Sequence, residues 1–124
     1  KIWGGISGCQ TLLQLLLTEG YERRDLPLET TAALTSAHPA QRFGLAPGKG
    51  SLAIGADADL ALVDLHQHKV LRAQDLYYRH QQSPFVGRTL RGEIVHTLVR
   101  GRTVFQAGQP VSTPVGRLII PARR

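Results

Sequence analysis

Sulfur and aromatic carbon are both scarce in this chain: 124 residues hold one cysteine, no methionine, one tryptophan, three tyrosines and three phenylalanines. A single thiol, Cys9, excludes an intramolecular disulfide framework and any multi-cysteine zinc cluster, and makes a cytoplasmic setting the default expectation. The lack of methionine, even at position 1, leads us to expect a chain processed or excerpted from a longer protein. Long apolar runs are missing too. Leu15–Leu17 falls far short of the roughly 20 apolar residues of a membrane helix, and Lys1 leads into glycines, not into the apolar core of a secretory signal. No membrane partner is expected.

Negative charge is the minority sign, nine Asp and Glu against fifteen Lys and Arg, for a formal +6. A basic balance of this kind permits an anionic partner. The basic residues are scattered, however (Arg23, Arg24, Arg72, Arg79, Arg88, Arg91, Arg100, Arg102), and the few aromatics do not interleave with them as a base-stacking platform requires, so no nucleic-acid partner is expected. What the chain does have is an ordinary globular composition, 42% hydrophobic and 19% charged, which argues against disorder.

Ser7 followed by Gln10 reads as a capping box opening a helix. Cys9, Leu12, Leu13, Leu16 and Leu17 then recur at helical spacing as one apolar stripe, and Gly20 can end the helix or weaken it. Pro27 suits the first turn of a second helix through Leu28, Ala32, Ala33 and Leu34. Residues 36–44 read as a short third helix with Pro39 in its first turn and Gly44 as its stop, and His38 looks like its cap. From residue 46 the pattern changes to glycine punctuation and alternating apolar residues. Strands are expected over 60–65, 68–71, 93–99, 103–105 and 118–120, with Gly101 and Gly108 as turn formers and an ordered loop at 77–92. A helical first third and a strand-rich remainder imply an α+β chain of two parts meeting near residue 46.

No constellation of residues amounts to a complete active site. The opening GGISG lacks the Gly-Lys-Ser/Thr ending of a phosphate loop. Its glycines can still expose backbone amides and carbonyls to a small polar ligand just ahead of a helix; equally, they can serve only a tight turn, which the bare residues favour. His66 and His68 would share a strand face, but with Asp64, Gln67 and Lys69 beside them and no third ligand they read as a solvated turn between strands. His80, beside Tyr77, Tyr78 and Arg79, reads as an ordering group in the loop, and His96 as a strand residue. Asp57 and Asp59 lack the further oxygen ligands of a calcium loop and are expected to bind backbone amides before a strand. No nucleophile elbow is present. No metal ligand and no catalytic side chain is therefore assigned to this segment.

Longer stretches carry more information than these parts. HPAQRFGLAPGKGSLAIGADADLALVDL, residues 38–65, closely resembles the C-terminal hallmark of the amidohydrolase superfamily. The cyclic amidohydrolases, namely dihydroorotases, hydantoinases and allantoinases, are the nearest group. Within it, YYRHQQSPFVGRTLRGEIVHTLVRGRTVF (77–105) and IWGGISGCQ (2–10) look most like the allantoinase branch, with His38 where Asn is common and Cys9 where Leu is common.

The resemblance implies a fold, residues 1–45 supplying the last helices and a substrate loop of a (β/α)8 TIM-type barrel and residues 46–124 most of a small β-sandwich. It implies that the backbone of Trp3, Gly4 and Gly5 holds a cyclic amide, glycine being required where main chain approaches the ring. It implies a divalent metal pair, most often zinc, whose ligands would all precede Lys1, leaving the segment silent alone. It also implies a homotetrameric parent that opens allantoin to allantoate in purine breakdown. Dihydroorotate, hydantoin or dihydrouracil as substrate, or a non-catalytic scaffold descended from such enzymes, are the alternatives.

Overall fold

The computed structural model describes residues 7–111 and 113–121. Two helical runs precede a four-stranded sheet. The first run, residues 9–22 (α1), opens as a 3-10 turn at Cys9–Thr11, continues as α-helix over Leu12–Leu15 and widens to π winding over Leu16–Glu22. The second, residues 28–42 (α2), is α-helical over Leu28–Ala32, π-wound over Ala33–Ala37 and α-helical again over His38–Arg42. Strands β1 (Leu60–Val70), β2 (Thr89–Val99), β3 (Arg102–Gln106) and β4 (Gln109–Pro110) lie in the order β1-β2-β3-β4, with β2–β3 and β3–β4 antiparallel. The chain groups into two compact units. One comprises residues up to Pro27 with Leu65–Glu93, the other Leu28–Asp64 with the residues from Ile94 onward.

The wide winding has a common local cause. In each π segment a threonine hydroxyl donates to the carbonyl four residues back, Thr18 Oγ1 to Gln14 O at 2.7 Å and Thr35 Oγ1 to Thr31 O at 2.8 Å. That carbonyl is the one the α-helical amide would use, so the hydroxyl competes with the backbone ladder and loosens the turn. Pro39, with no amide hydrogen, sits in the first turn of the final α-helical stretch, where no donor is needed. The third helix expected from sequence is therefore present but continuous with the second, and His38 lies inside the winding (φ −64°) instead of capping it. Gly44 stops the run at φ +67°: its amide donates to Gln41 O (3.2 Å) and the Leu45 amide to Ala40 O (2.7 Å), the paired bonds of a Schellman ending.

The core of the first unit is small and aliphatic. Leu71, Leu76 and Leu90 form its centre, with Leu15, Tyr78 and Phe85 against them. Leu90, at 2% exposure, is the most deeply buried large side chain, worth about 1.5–3 kcal/mol in transfer alone. Leu17 of the expected apolar stripe is buried as well, whereas Cys9 and Leu12 are exposed, because α1 does not keep a 3.6-residue period through its length. A buried hydroxyl joins α1 to β2: Thr18 Oγ1, besides its helical bond, accepts the Arg91 amide at 2.8 Å.

The second unit is organised by close backbone approach. Gly50, at φ +87°, lies so near α2 that an added Cβ would stand 2.5 Å from Ala40 Cβ and 2.8 Å from Ser36 O. Two-residue turns join the sheet's hairpins. Both central residues of each have positive φ, Arg100 (50°) with Gly101 (75°) and Ala107 (51°) with Gly108 (80°), the type I′ pattern that matches strand twist. Between Thr97 and Leu98 the β2–β3 register shifts, Thr97 facing Phe105 and Leu98 facing Thr103, so Val104 is the extra residue of a bulge.

Two strand expectations need correction. His66 and His68 are not in a turn between strands: β1 runs unbroken from Leu60 to Val70, because the polar residues after Leu65 line an exposed stretch that needs no apolar alternation. Residues 118–120 form no strand; Leu118 and Ile120 are largely exposed, and among the described residues no strand pairs with this apolar stretch. The expected loop at 77–92 ends earlier, since Thr89 already opens β2.

Candidate functional site

Trp3, Gly4 and Gly5 lie outside the described residues. What the structure describes is how the chain is held as it leaves them. Ser7 O accepts a hydrogen bond from Ser83 Oγ at 2.9 Å, and the bare Cα of Gly8 faces Phe85, whose ring an added Cβ would approach to 3.6 Å. Gln10 does not reach back to cap α1; the helix start has no side-chain cap at all. Its side-chain amide is instead spent on the segment beyond β1. Nε2 donates to Asp75 O (2.7 Å), Oε1 accepts the Tyr77 amide (2.9 Å), and the Gln10 main-chain amide donates to Tyr78 Oη (2.7 Å). A capping box needs only sequence neighbours, so it was the readable option; the pairing that forms spans 65 to 68 residues and carries no local signal.

The 75–85 segment is itself ordered. A 3-10 turn at Ala73–Asp75 is pinned where the Asp75 carboxylate accepts the Arg72 amide at 3.0 Å. Leu71 closes the loop by donating to Arg88 O (3.0 Å) and accepting from the Gly87 amide (2.9 Å). Of the loop residues singled out from sequence, Tyr78 packs on the core and binds Gln10. His80 contributes its carbonyl to the Gln82 amide at 2.7 Å, a turn contact.

An ionic face flanks α1 in the same unit. Glu19 pairs with Arg23 (3.2 Å), Arg24 (3.4 Å) and Arg88, while Glu22 pairs with Arg91 (3.1 Å) and His68 (2.9 Å). Arg91 is the most engaged of these cations, donating through Nε to Leu65 O (2.9 Å) and lying 5.2 Å from the Tyr21 ring centroid. The His68 hydrogen bond and the nearby Arg91 guanidinium hold the Glu22 carboxyl below the usual carboxylate range. Tyr21, Glu22, Asp25, Leu26, Pro27 and Arg91 line a shallow open groove beside this network. Within the network Glu19, Glu22, Arg23, Arg24, His68, Arg88 and Arg91 are all paired with one another, which is the pattern of a fastening.

The acidic pair of the second unit is likewise structural. Lys49 Nζ bonds Asp57 (2.7 Å) and Asp59, and Asp59 Oδ1 accepts the Arg100 amide at 2.8 Å. Asp59 thus does bind a backbone amide, as expected, and both carboxylates also pair with a lysine eight and ten residues upstream. The two carboxylates hold the Lys49 ammonium above its ordinary value, Asp57 first, and Lys49 with the Arg100 amide holds Asp59 below its own. His96 Nε2 lies 2.7 Å from Thr103 Oγ1 across the hairpin. Among the described residues no three His, Cys, Asp or Glu side chains converge as metal ligands.

Comparison with known proteins sets this geometry in context. The profile of the Amidohydrolase family matches residues 7–104. The chain is 58% identical over 123 residues to an allantoinase of Rubrobacter xylanophilus, covering 99% of this chain and 27% of the relative. It is 51% identical over 121 residues to an allantoinase of Deinococcus radiodurans, covering 98% and 26%. Among solved structures it matches an L-hydantoinase (dihydropyrimidinase) from Arthrobacter aurescens with a TM-score of 0.83 at 36% identity, over 87% of this chain and 24% of that one. A D-hydantoinase from Thermus sp. gives 0.86 at 29% identity, over 90% and 24%. The chain spans about a quarter of the length of the relatives it matches.

Proposed function

Since the chain belongs to the amidohydrolase family, we propose that it forms the C-terminal part of a metal-dependent cyclic amide hydrolase whose substrate is allantoin and whose product is allantoate. The observation that carries this reading is the 58% identity along 99% of the chain to an allantoinase. On this reading residues 1–45 contribute the last helices of a (β/α)8 barrel and residues 46–124 most of a small β-sandwich, in a cytoplasmic homotetramer serving purine breakdown.

The segment's part in catalysis is positional. The backbone of Trp3, Gly4 and Gly5 presents amides and carbonyls to the ring's own C=O and N–H groups, and glycine at two of three positions leaves no Cβ between main chain and ring. The metal pair, zinc on this reading, supplies an activated water and a polarised carbonyl. The residues described here offer it no ligand set, and no step assigned to this chain passes through it.

The full-length enzyme, purified with its metal, should open allantoin in preference to hydantoin, dihydrouracil and dihydroorotate. Gly5→Val in that enzyme should raise KM about tenfold or more, a Cβ and two methyls intruding where the ring must lie. Preference for hydantoin or dihydrouracil would move the assignment to the hydantoinases, which the fold likeness to the Arthrobacter enzyme favours as the second reading.

A further inference from the structure

We propose that Arg23, Arg24 and Arg88, gathered around the Glu19 carboxylate, form a binding site for a phosphate dianion, as the free ion or as the head of a phosphate monoester. The argument is one of stoichiometry. Glu19 Oε1 accepts from Arg23 at 3.2 Å and from Arg88, Oε2 accepts from Arg24 at 3.4 Å, and the Glu19 carbonyl accepts from the same Arg24 nitrogen at 2.5 Å. Three guanidinium groups bring roughly fifteen N–H donors to this point, whereas one carboxylate offers about four acceptor positions. Positive charge is in excess as well. Three cations meet one carboxylate and, at the end of α1, a helix dipole worth about half a unit of negative charge, which leaves a surplus of about 1.5 units. A phosphate monoester carries about −1.5 to −2 near neutral pH, which matches that surplus in sign and size.

The three side chains also leave backbone that is fixed. Arg23 ends the winding of α1 with its amide donating to Gly20 O; the Leu26 amide donates to the same carbonyl at 3.1 Å, and Asp25 between them has φ +53°, the left-handed ending of a helix. Arg88 is held from both sides, its amide donating to Phe85 O at 3.1 Å and its carbonyl accepting the Leu71 amide at 3.0 Å, two residues before the buried Leu90. The arginine side chains are 61%, 69% and 42% exposed in chain order, against 26% for Glu19. The carboxylate therefore lies inside and the cations outside, so the surplus faces solvent, where an anion can reach it.

A tetrahedral oxyanion suits this arrangement better than a second carboxylate. Its oxygens diverge and can each take a fork of a different arginine, while its double charge offsets the repulsion among three cations that share one counter-ion. Seated there, it spans the end of α1 and the corner before β2, and so acts beside Glu19 as a second fastening between them. The test uses the full-length holoenzyme, titrated calorimetrically with inorganic phosphate and with glycerol 3-phosphate at about pH 7.5, the ionic strength held near 0.15 M with sodium chloride because exposed charges are screened. A dissociation constant of about 10 mM or below is expected for at least one of them, with acetate, a monoanion, bound about fivefold or more weakly. Tighter glycerol 3-phosphate identifies the monoester as the ligand; tighter inorganic phosphate identifies the free ion.

Arg23→Gln and Arg24→Gln should each weaken binding about three- to tenfold, the loss of one charge-assisted contact at an exposed position, whereas Arg102→Gln, which removes the same charge from β3, should change it less than about 1.5-fold. If Arg24→Gln, whose guanidinium also holds Glu19 O, folds poorly, Arg23→Gln still decides. Binding of both phosphates weaker than about 10 mM overturns the site, as does an equal loss in Arg102→Gln, which would mean net charge alone. Tight binding indifferent to both Arg23→Gln and Arg24→Gln overturns it too, since an anion held elsewhere in the holoenzyme ignores these side chains.

Discussion

Gly50 offers a measurement in which strain and crowding can be separated. Its φ of +87° is costly for any residue with a side chain, about 1–2 kcal/mol. An alanine there would also set its Cβ 2.5 Å from Ala40 Cβ and 2.8 Å from Ser36 O, well inside contact distance, and 3.3 Å from Ala37 Cα. None of these neighbours is the far end of a flexible side chain, so the loop must lift from α2, an overpacking cost of about 1–3 kcal/mol. Gly55 is the internal control: its φ is +89°, yet an added Cβ there meets nothing within 4 Å. Gly55→Ala should therefore cost only the conformational part, and Gly50→Ala that part plus the clash, together about 2–5 kcal/mol. Chemical denaturation of the two variants beside the parent protein, at matched slopes, gives the difference directly. Equal losses in the two variants would refute the claim that Gly50 is required by close approach and not by φ alone.

Two further outcomes are expected. Leu90→Ala, emptying the most buried leucine of the first unit, should cost about 2–5 kcal/mol in the same assay, whereas Leu12→Ala on the exposed flank of α1 should fall within about 0.5 kcal/mol. The Lys49–Asp59 contact sets a pH window. Asp59 is depressed, so its stabilisation is present above the unfolded carboxylate value of about 4 and is lost as pH falls through the lower folded value; Lys49 is raised, so its contribution is present below about 10.4 and is lost as pH rises through the higher folded value. Asp59→Asn should remove the acid dependence at this site and lower the plateau between those limits, read from unfolding midpoints across pH; an unchanged plateau would mean the contact contributes nothing.

What could be read from sequence was local. Gly44, Gly101 and Gly108 were legible because a helix stop or a hairpin turn demands positive φ within a few residues, and all three have it. The two helical runs were legible from spacing, but the π winding was not, since it depends on which carbonyl the Thr18 and Thr35 hydroxyls take. Gln10 misled for the opposite reason: a sound local motif lost to the 75–78 segment, which offered its side chain two backbone partners at once. The pairing of Lys49 with Asp57 and Asp59 is not legible, because a cation eight to ten residues from two carboxylates in an irregular loop follows no period. The Ser7–Ser83 contact belongs to this second class, a pairing whose separation no pattern encodes.

The paired hairpin turns, alike in backbone, face different evolutionary futures. Ala107 brings only a methyl to its left-handed position, so that corner is free to drift toward Asn, Asp or Gly, each a gain in ease of folding. Arg100 is committed: its amide is held by Asp59, and its guanidinium donates to Val115 O at 2.5 Å. Exchange there forfeits an anchor for the trailing segment along with any conformational relief, so variation among descendants should gather at one bend and spare the other.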